Sequence, residues 1–192
     1  MTNWYKQAQL IESFPYFKQL GEDYIPDEVD INYRLGELGL SIISKIDSGD
    51  SGVAYLLSSN DVLKITTNDQ EGKVAQYLMD NPSPYIVDYR YVWKLGNLYY
   101  IIMEQVDPLS DDLEDIFDKL HWLQDKNFCY NPGCSIDILK KDPYFNSLDN
   151  SFTSMILDYL LHLKNIPIKI FDFLNSTNIG TKNGTIKFFD IT

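Results

Sequence analysis

The sequence predicts an α+β fold in which a five-stranded antiparallel sheet with one helix comes before a mainly helical region. Five short segments of the first half are rich in β-branched and aromatic residues, and turns with Gly, Asn or Ser separate most of them. In the second half, apolar residues recur at helical spacing. The chain has 192 residues, of which 44% are hydrophobic, so it can bury a substantial core.

The sheet is predicted to begin with a three-stranded antiparallel meander, because only short turns separate its first three strands. One helix, residues 68–79, is expected after the third strand. Asn68 and Glu71 at its start have the spacing of a capping box, in which the glutamate side chain turns back to the first residue. The predicted strands span residues 40–46, 53–57, 61–65, 86–94 and 98–104.

Two amphipathic helices are predicted in the second half of the chain. Ser110 is the expected N-cap of the first, and acidic residues occupy its first turn, where the helix dipole favours them. The second has a strongly apolar face. That face consists of Phe152, Met155, Ile156, Tyr159, Leu160 and Leu163. Residues 127–149 are expected to be irregular, residues 168–171 extended, and residues 185–189 to form a last strand.

The chain is expected to divide into three parts. Residues 1–40 contain an aromatic-rich helix, residues 3–20, and an acidic connector, residues 21–40. Residues 41–106 contain the sheet with its helix, and residues 107–192 contain the mainly helical part. This length suits one domain with two lobes.

The formal net charge is −12, from 28 acidic and 16 basic residues. Such a surface repels phosphate backbones, so nucleic-acid binding is not expected. The acidity fits a basic protein partner, or it serves solubility alone. No apolar run approaches the roughly 20 residues of a membrane span, and the N-terminus lacks the features of a signal peptide. A soluble, cytoplasmic protein without membrane contact is predicted.

The two cysteines, Cys129 and Cys134, are expected to be reduced, because the predicted compartment is a reducing one. The histidines, His121 and His162, lack the spacing of metal ligands, so no zinc site is predicted. The chain also lacks the Gly-x-x-x-x-Gly-Lys-Ser/Thr motif of P-loop NTPases. Neither histidine accompanies a nucleophile motif such as Gly-x-Ser-x-Gly, so a hydrolase is poorly supported.

Two features of the predicted sheet have an ordinary structural interpretation. The turn at residues 47–53, Asp-Ser-Gly-Asp-Ser-Gly-Val, contains two glycines, for which a positive φ costs little, as in a hairpin turn. Lys64 alternates with Leu63 and Ile65 along the third strand, so it faces opposite to them and could face solvent.

The order of these segments resembles that of the protein-kinase-like superfamily over roughly residues 40–192. The resemblance is carried by the glycine turn at 47–53, the lysine strand Val62–Ile65, a hinge-like segment Ile101–Val106, a catalytic-loop-like segment Ile170–Gly180 and an Asp-Phe-Gly-like segment Lys187–Thr192. In its short length, the chain looks like the abbreviated kinase-like proteins found in bacteriophage genomes.

The resemblance implies a protein-kinase-like fold, with a five-stranded antiparallel N-lobe and a truncated, mainly helical C-lobe, and it implies ATP and Mg²⁺ as ligands. By similarity, Asp172, Lys64 and Glu71 are the catalytic residues, with Glu71 pairing with Lys64. Asn178 and Asp190 are then the metal ligands. The residues implied to contact ATP are Gly49, Ser51, Gly52, Val53, Lys64, Glu104 and Val106.

Several positions depart from the family pattern. Asp47 replaces the first glycine, Ile170-Phe171 replaces the His-Arg before the catalytic aspartate, and Leu174 stands where the family has a basic residue. The sequence also ends two residues after Asp190, before the activation loop and peptide-binding helices of full-length kinases.

The sequence thus predicts an ATP-dependent phosphotransferase, a minimal kinase that transfers the γ-phosphate of Mg-ATP to a hydroxyl on a protein. The alternative is a pseudokinase or kinase-fold interaction protein that inhibits or modulates a host partner by binding. The phosphate acceptor and the oligomeric state are not readable from the residues.

Overall fold

The computed structural model describes residues 28–49, 52–171 and 173–191. The N-terminal helix predicted at residues 3–20 lies outside the described residues, as do Ser51 and Asp172. The fold is α+β, with a five-stranded antiparallel sheet and several helices, and this fold class is the one that the sequence predicts. In the described parts of the chain, no helix is long and apolar enough to cross a membrane.

The described residues form two compact units. The first comprises the described residues up to Pro82 together with Asp88–Gln105. The second comprises Ser83–Val87 and the described residues from Val106 onward.

The first unit contains the five-stranded sheet and two helices. Its elements are α1 (Glu28–Glu37), β1 (Ile42–Gly49), β2 (Gly52–Leu57), β3 (Asp61–Thr66), α2 (Asp69–Asp80), β4 (Tyr89–Leu95) and β5 (Leu98–Glu104). The strand order is β1-β2-β3-β5-β4, and all neighbouring strands are antiparallel. The predicted order of three strands, one helix and two strands is therefore confirmed, with shifts of a few residues at the ends of the elements.

The two faces of the sheet contact different helices. On β5, Tyr100 and Ile102 belong to the buried cluster that includes Ile31 and Leu35 of α1. The alternate residue Ile101 belongs instead to a cluster with Ala75 of α2. This alternation follows from the two-residue period of a strand. It also means that a β3 residue on the α2 face, such as Lys64, meets that helix.

Helix α1 lies where an irregular connector was expected. Ile31 and Leu35 are one helical turn apart and both are buried. The Ile42 backbone N–H donates to Asn32 Oδ1 at 2.7 Å, which joins the helix to the start of β1. The connector prediction for residues 21–40 is therefore wrong over Glu28–Glu37, because two buried residues suffice to hold a short helix when a sheet covers them.

The second unit contains three helices and a two-stranded sheet. Its main elements are α3 (Asp111–Lys126), α4 (Pro132–Leu139), α5 (Asn150–Lys164), β6 (Ile179–Lys182) and β7 (Thr185–Phe188), with single 3₁₀ turns at Phe145–Ser147 and Ser176–Asn178. The helices and last strand that the sequence predicts are confirmed. Of the residues predicted to be extended, Ile168 lies in a bend, and residues 169–171 belong to no helix or strand.

Helix α4 falls within the segment expected to be irregular. Asn131 Oδ1 accepts the Cys134 N–H at 2.9 Å and caps the helix, while Pro132 occupies its first position. A proline costs nothing there, because the N–H that it lacks has no partner inside a helix anyway. The prediction that residues 127–149 are irregular is therefore wrong over Pro132–Leu139.

The cap of α4 also brings the two cysteines together. The Cα atoms of Cys129 and Cys134 are 5.8 Å apart, and their sulfur atoms are bonded. This separation is typical of disulfides. The expectation of reduced cysteines is therefore wrong in this structure.

An aromatic cluster forms the centre of the second unit. Phe188 of β7 is fully buried and stacks on Tyr159 of α5, with ring centroids 3.6 Å apart. Its ring also packs edge-to-face against Phe117 of α3, with ring centroids 5.7 Å apart. Val87 N–H donates to the Phe188 carbonyl at 3.0 Å, so the strand end is held by backbone as well. These contacts position the residues that follow Phe188.

Candidate functional site

A lysine–glutamate pair lies between β3 and α2. Lys64 Nζ is 2.5 Å from Glu71 Oε1, and the side chains are only 17% and 8% exposed. The alternative of a solvent-facing lysine is therefore wrong. Glu71 also does not complete a capping box, because the Asn68 N–H donates to Thr66 Oγ1 at 3.0 Å. The structure thus brings together the two residues whose pairing the kinase resemblance implied.

The first turn of α2 holds Glu71 in a defined position. Asn68 Oδ1 accepts the N–H groups of Gln70 and Glu71 at 3.0 and 3.3 Å, as an N-cap does. Gly72 lies so close to the sheet that a Cβ atom there would come within 2.2 Å of the Tyr99 ring. The glycine therefore lets the start of the helix approach β5, and with it the glutamate approaches Lys64.

Asp69 anchors the same helix turn to β4 and β5. It pairs with Lys73 of its own helix, and it accepts from Lys94 Nζ at 2.8 Å and Tyr99 Oη at 2.9 Å. Hydrogen bonds from Lys73, Lys94 and Tyr99 hold the pKa of the Asp69 carboxyl well below its usual range. The sequence reading did not find this anchor, although an aspartate directly after the N-cap was the available signal.

Replacing Asp69 with asparagine is expected to lower the thermal midpoint at pH 7, and to lower it by less and less as the pH falls below about 4. The pKa of Asp69 is lower in the folded than in the unfolded state, so its contribution to stability is fully present above the unfolded value, about 4. That contribution begins to decrease below this value and disappears only below the folded pKa. Thermal denaturation of both proteins from pH 7 to pH 2 checks this, and a difference that stays constant with pH would contradict it.

The glycine turn is the end of a tight hairpin. β1 continues through Asp47 and Ser48, so the strand is longer than predicted, and Gly49 pairs with Gly52 across two residues. A Cβ atom on Gly52 would come within 2.3 Å of the Ile65 carbonyl oxygen. Gly52 is therefore needed for the packing of β2 on β3, whatever binds at the turn.

Two other residues of the turn segment have defined surroundings. Asp47 is exposed, and its Oδ1 accepts the Ser48 N–H at 2.7 Å, so the carboxylate is turned toward its own backbone. Val53 is buried in the core of the sheet. The structure therefore assigns Val53 a packing role in the first unit.

The hinge-like segment begins at the end of β5. Met103 is buried, and the Glu104 N–H donates to the Asp88 carbonyl at 2.9 Å. Val106 belongs to the second unit, where a Cβ on Gly180 would come within 2.5 Å of its Cγ2 atom. Gly180 thus allows β6 to lie against the chain at Val106.

Asn178 and the segment before Asp190 are neighbours in the second unit. Asn178 ends the 3₁₀ turn, and its carbonyl accepts the Phe189 N–H at 2.8 Å. Asp190 has a φ of 47°, a left-handed conformation that few residues other than glycine adopt. The Phe171 N–H donates to the Ile191 carbonyl at 3.2 Å. Phe171 and Asn178 of the catalytic-loop-like segment therefore both contact the Asp-Phe-Gly-like segment, at Ile191 and Phe189.

The residues after position 172 are part of the hydrophobic core. Phe173 and Leu174 are both buried, and Tyr159 Oη donates to the Phe173 carbonyl at 3.1 Å. The position at which the family has a basic residue is therefore occupied by a core leucine. Within the described residues, no group of three or more His, Cys, Asp or Glu side chains is placed to hold a metal by itself.

Neither the models of known protein families nor the curated proteins include one that matches this chain. Its function is therefore inferred from its fold and its residues. The first unit contains a shielded lysine–glutamate pair. Within the second unit, the Phe189 N–H donates to the Asn178 carbonyl, so Asn178 lies beside the segment that continues to Asp190.

Proposed function

We propose that the protein is an ATP-dependent phosphotransferase that transfers the γ-phosphate of Mg-ATP to a hydroxyl group on a protein. The pair between Lys64 and Glu71 carries the proposal. Burying two charges costs free energy, and apolar residues often stabilise such a position equally well. A shielded pair on a strand followed by a helix suits a functional lysine, whose ammonium group the glutamate orients toward phosphate oxygens.

The nucleotide would be held by backbone groups and by this lysine. The hairpin end at Gly49, Ser51 and Gly52 would cover the phosphates, since glycine lets N–H groups come close to an anion. The Glu104 N–H is already used by Asp88, so its carbonyl is the group that adenine would bind. Val106 is the further adenine contact that the kinase resemblance implies.

The donor set of the second unit fits magnesium. Asn178 and Asp190 would supply one amide and one carboxylate oxygen, and magnesium takes its remaining ligands from phosphates and water. Their closeness is supported by the Phe189–Asn178 hydrogen bond, and the left-handed backbone of Asp190 is a conformation that clusters at functional sites. Bound magnesium would neutralise negative charge on the transferring phosphate. Asp172 would orient the acceptor hydroxyl and accept its proton.

A nucleotide-binding protein without transfer activity is the second candidate. Leu174 favours this second candidate. Kinases have a basic residue at this position that contacts the γ-phosphate, whereas this chain has a fully buried leucine there. Such a protein would act on its partner by contact alone.

Two measurements on the same variants test the proposal. Mg-ATP is expected to raise the thermal midpoint of the wild type, and labelled ATP is expected to transfer phosphate to the protein itself or to proteins of a host lysate. Asp172→Ala is expected to keep the thermal shift but to lose label about 10²- to 10⁴-fold, the usual contribution of a general base. Asp158→Ala, at an exposed position of α5, is the matched control.

The outcomes separate the two candidates. A wild type without any thermal shift would show that nucleotide binding is wrong. A shift in all variants together with no label above the level of Asp172→Ala would favour the non-catalytic protein.

A further inference from the structure

The second unit contains a groove of about 430 Å³. Residues 130–133, which lead into and begin α4, form one wall. The end of α5 and the segment that leads to Phe171 form the other. No part of the proposed phosphotransferase uses the first wall, so the groove needs its own explanation.

The first wall is held in place from both ends. The disulfide between Cys129 and Cys134 encloses residues 130–133. Beneath them, Ser135 Oγ donates to the Asn131 carbonyl at 3.1 Å and accepts from Gln124 Nε2 at 2.7 Å. Gln124 and Ser135 are both buried. The wall is therefore formed before any ligand arrives, which lowers the entropy lost on binding.

The groove differs in charge from the chain as a whole. Lys164 and Lys169 line it, whereas no carboxylate stands among the described residues that line it. The chain carries a net charge of −12. A local pair of cations on an acidic protein attracts an anionic partner to this place and repels it elsewhere.

The groove also offers aromatic and apolar surface. Tyr130 and Phe171 are 51% and 39% exposed, which is unusual for such large rings. Pro167 and Ile168 lie along the same wall as Phe171. An apolar side chain of a ligand would find contacts here, while its acidic neighbours would meet the lysines.

We infer that this groove binds a short acidic peptide segment of a partner protein, with an aromatic or leucine side chain between the acidic ones. A nucleic acid is a poorer fit, because two lysines cannot offset the repulsion between a phosphate backbone and the remaining acidic surface. Phe171 directly precedes Asp172 in the chain. The binding of the peptide does not depend on the proposed function. Only the additional inference that the bound partner is the phosphate acceptor rests on that function.

Fluorescence anisotropy without nucleotide tests the binding on the full chain. The probe is a fluorescein-labelled Glu-Phe-Glu-Leu-Glu-Phe-Glu peptide, and the same peptide with Lys in place of Glu is the comparison. The glutamate peptide is expected to bind, and to bind more weakly as salt increases. The double variant Lys164→Glu and Lys169→Glu is expected to weaken binding about tenfold or more. The double variant Lys140→Glu and Lys141→Glu, at exposed positions of the same unit, changes the net charge equally and is expected to bind as the wild type does.

A second variant separates the groove from charge alone. Tyr130→Ser is expected to weaken binding severalfold with an unchanged circular dichroism spectrum, because the exposed ring contributes contact area rather than stability. The inference is overturned if the lysine peptide binds equally well, if both lysine double variants bind alike, or if oligothymidylate displaces the peptide. Peptide binding without any label transfer would leave the groove intact and refute only the phosphotransferase.

Discussion

Replacing Lys64 with methionine is expected to lower phosphate transfer about 10²- to 10³-fold, the usual effect of removing one preorganised positive or hydrogen-bonding group from a reacting centre. Methionine keeps most of the length of the lysine side chain, so β3 is expected to remain in place. The carboxylate of Glu71, only 8% exposed, loses its ion pair with Lys64. Because a shielded carboxylate is costly without this counter-charge, the free energy of unfolding is expected to fall by about 1–3 kcal/mol. Labelled-ATP transfer and chemical denaturation measure the two effects.

Two control variants separate the effect of Lys64→Met on phosphate transfer from its effect on stability. Lys45→Met changes an exposed lysine of β1 in the same sheet and is expected to affect neither quantity. The double variant Lys64→Met and Glu71→Gln also removes the negative charge of Glu71, so it is expected to recover stability without recovering transfer. If the double variant regained transfer, or if Lys64→Met transferred phosphate at the wild-type rate, the pair would be only structural.

Replacing Phe188 with alanine is expected to lower the free energy of unfolding by about 3–5 kcal/mol, as measured for large aromatic residues in well-packed cores. Phe188 is fully buried, stacks on Tyr159 and meets Phe117 edge-on. Its removal leaves a cavity at the point where two helices and a strand meet. Because Phe189 and Asp190 follow directly, the variant is also expected to require more magnesium for any ATP-dependent thermal shift.

The matched control for this variant is Phe128→Ala. Phe128 is 83% exposed, and its loss is expected to change stability by no more than about 0.5 kcal/mol. Denaturation by urea with separate detection of tryptophan fluorescence and circular dichroism gives the free energies. A loss of less than about 1 kcal/mol in Phe188→Ala would mean that the aromatic cluster is not packed as described.

Much of the first unit could be predicted from sequence because its signals are local. Alternation of apolar and polar residues, turn residues between strands and an N-cap before the helix each act over a few positions. Alternation alone placed Lys64 opposite Leu63 and Ile65. It could not determine the partner of Glu71, because Thr66 competes for the Asn68 N–H, and this competition depends on how β3 passes into α2.

The sequence by itself determined the order of strands and helices, the side of β3 on which Lys64 lies and the candidate residues near the end of the chain. Tertiary structure decided what depends on distant parts of the chain meeting. Ile31 and Leu35 form a helix because a sheet covers them. Cys129 and Cys134 are bonded because the cap at Asn131 reverses the chain. The groove exists only because residues 130–133 lie opposite residues 166–171, and no local pattern contains that pairing.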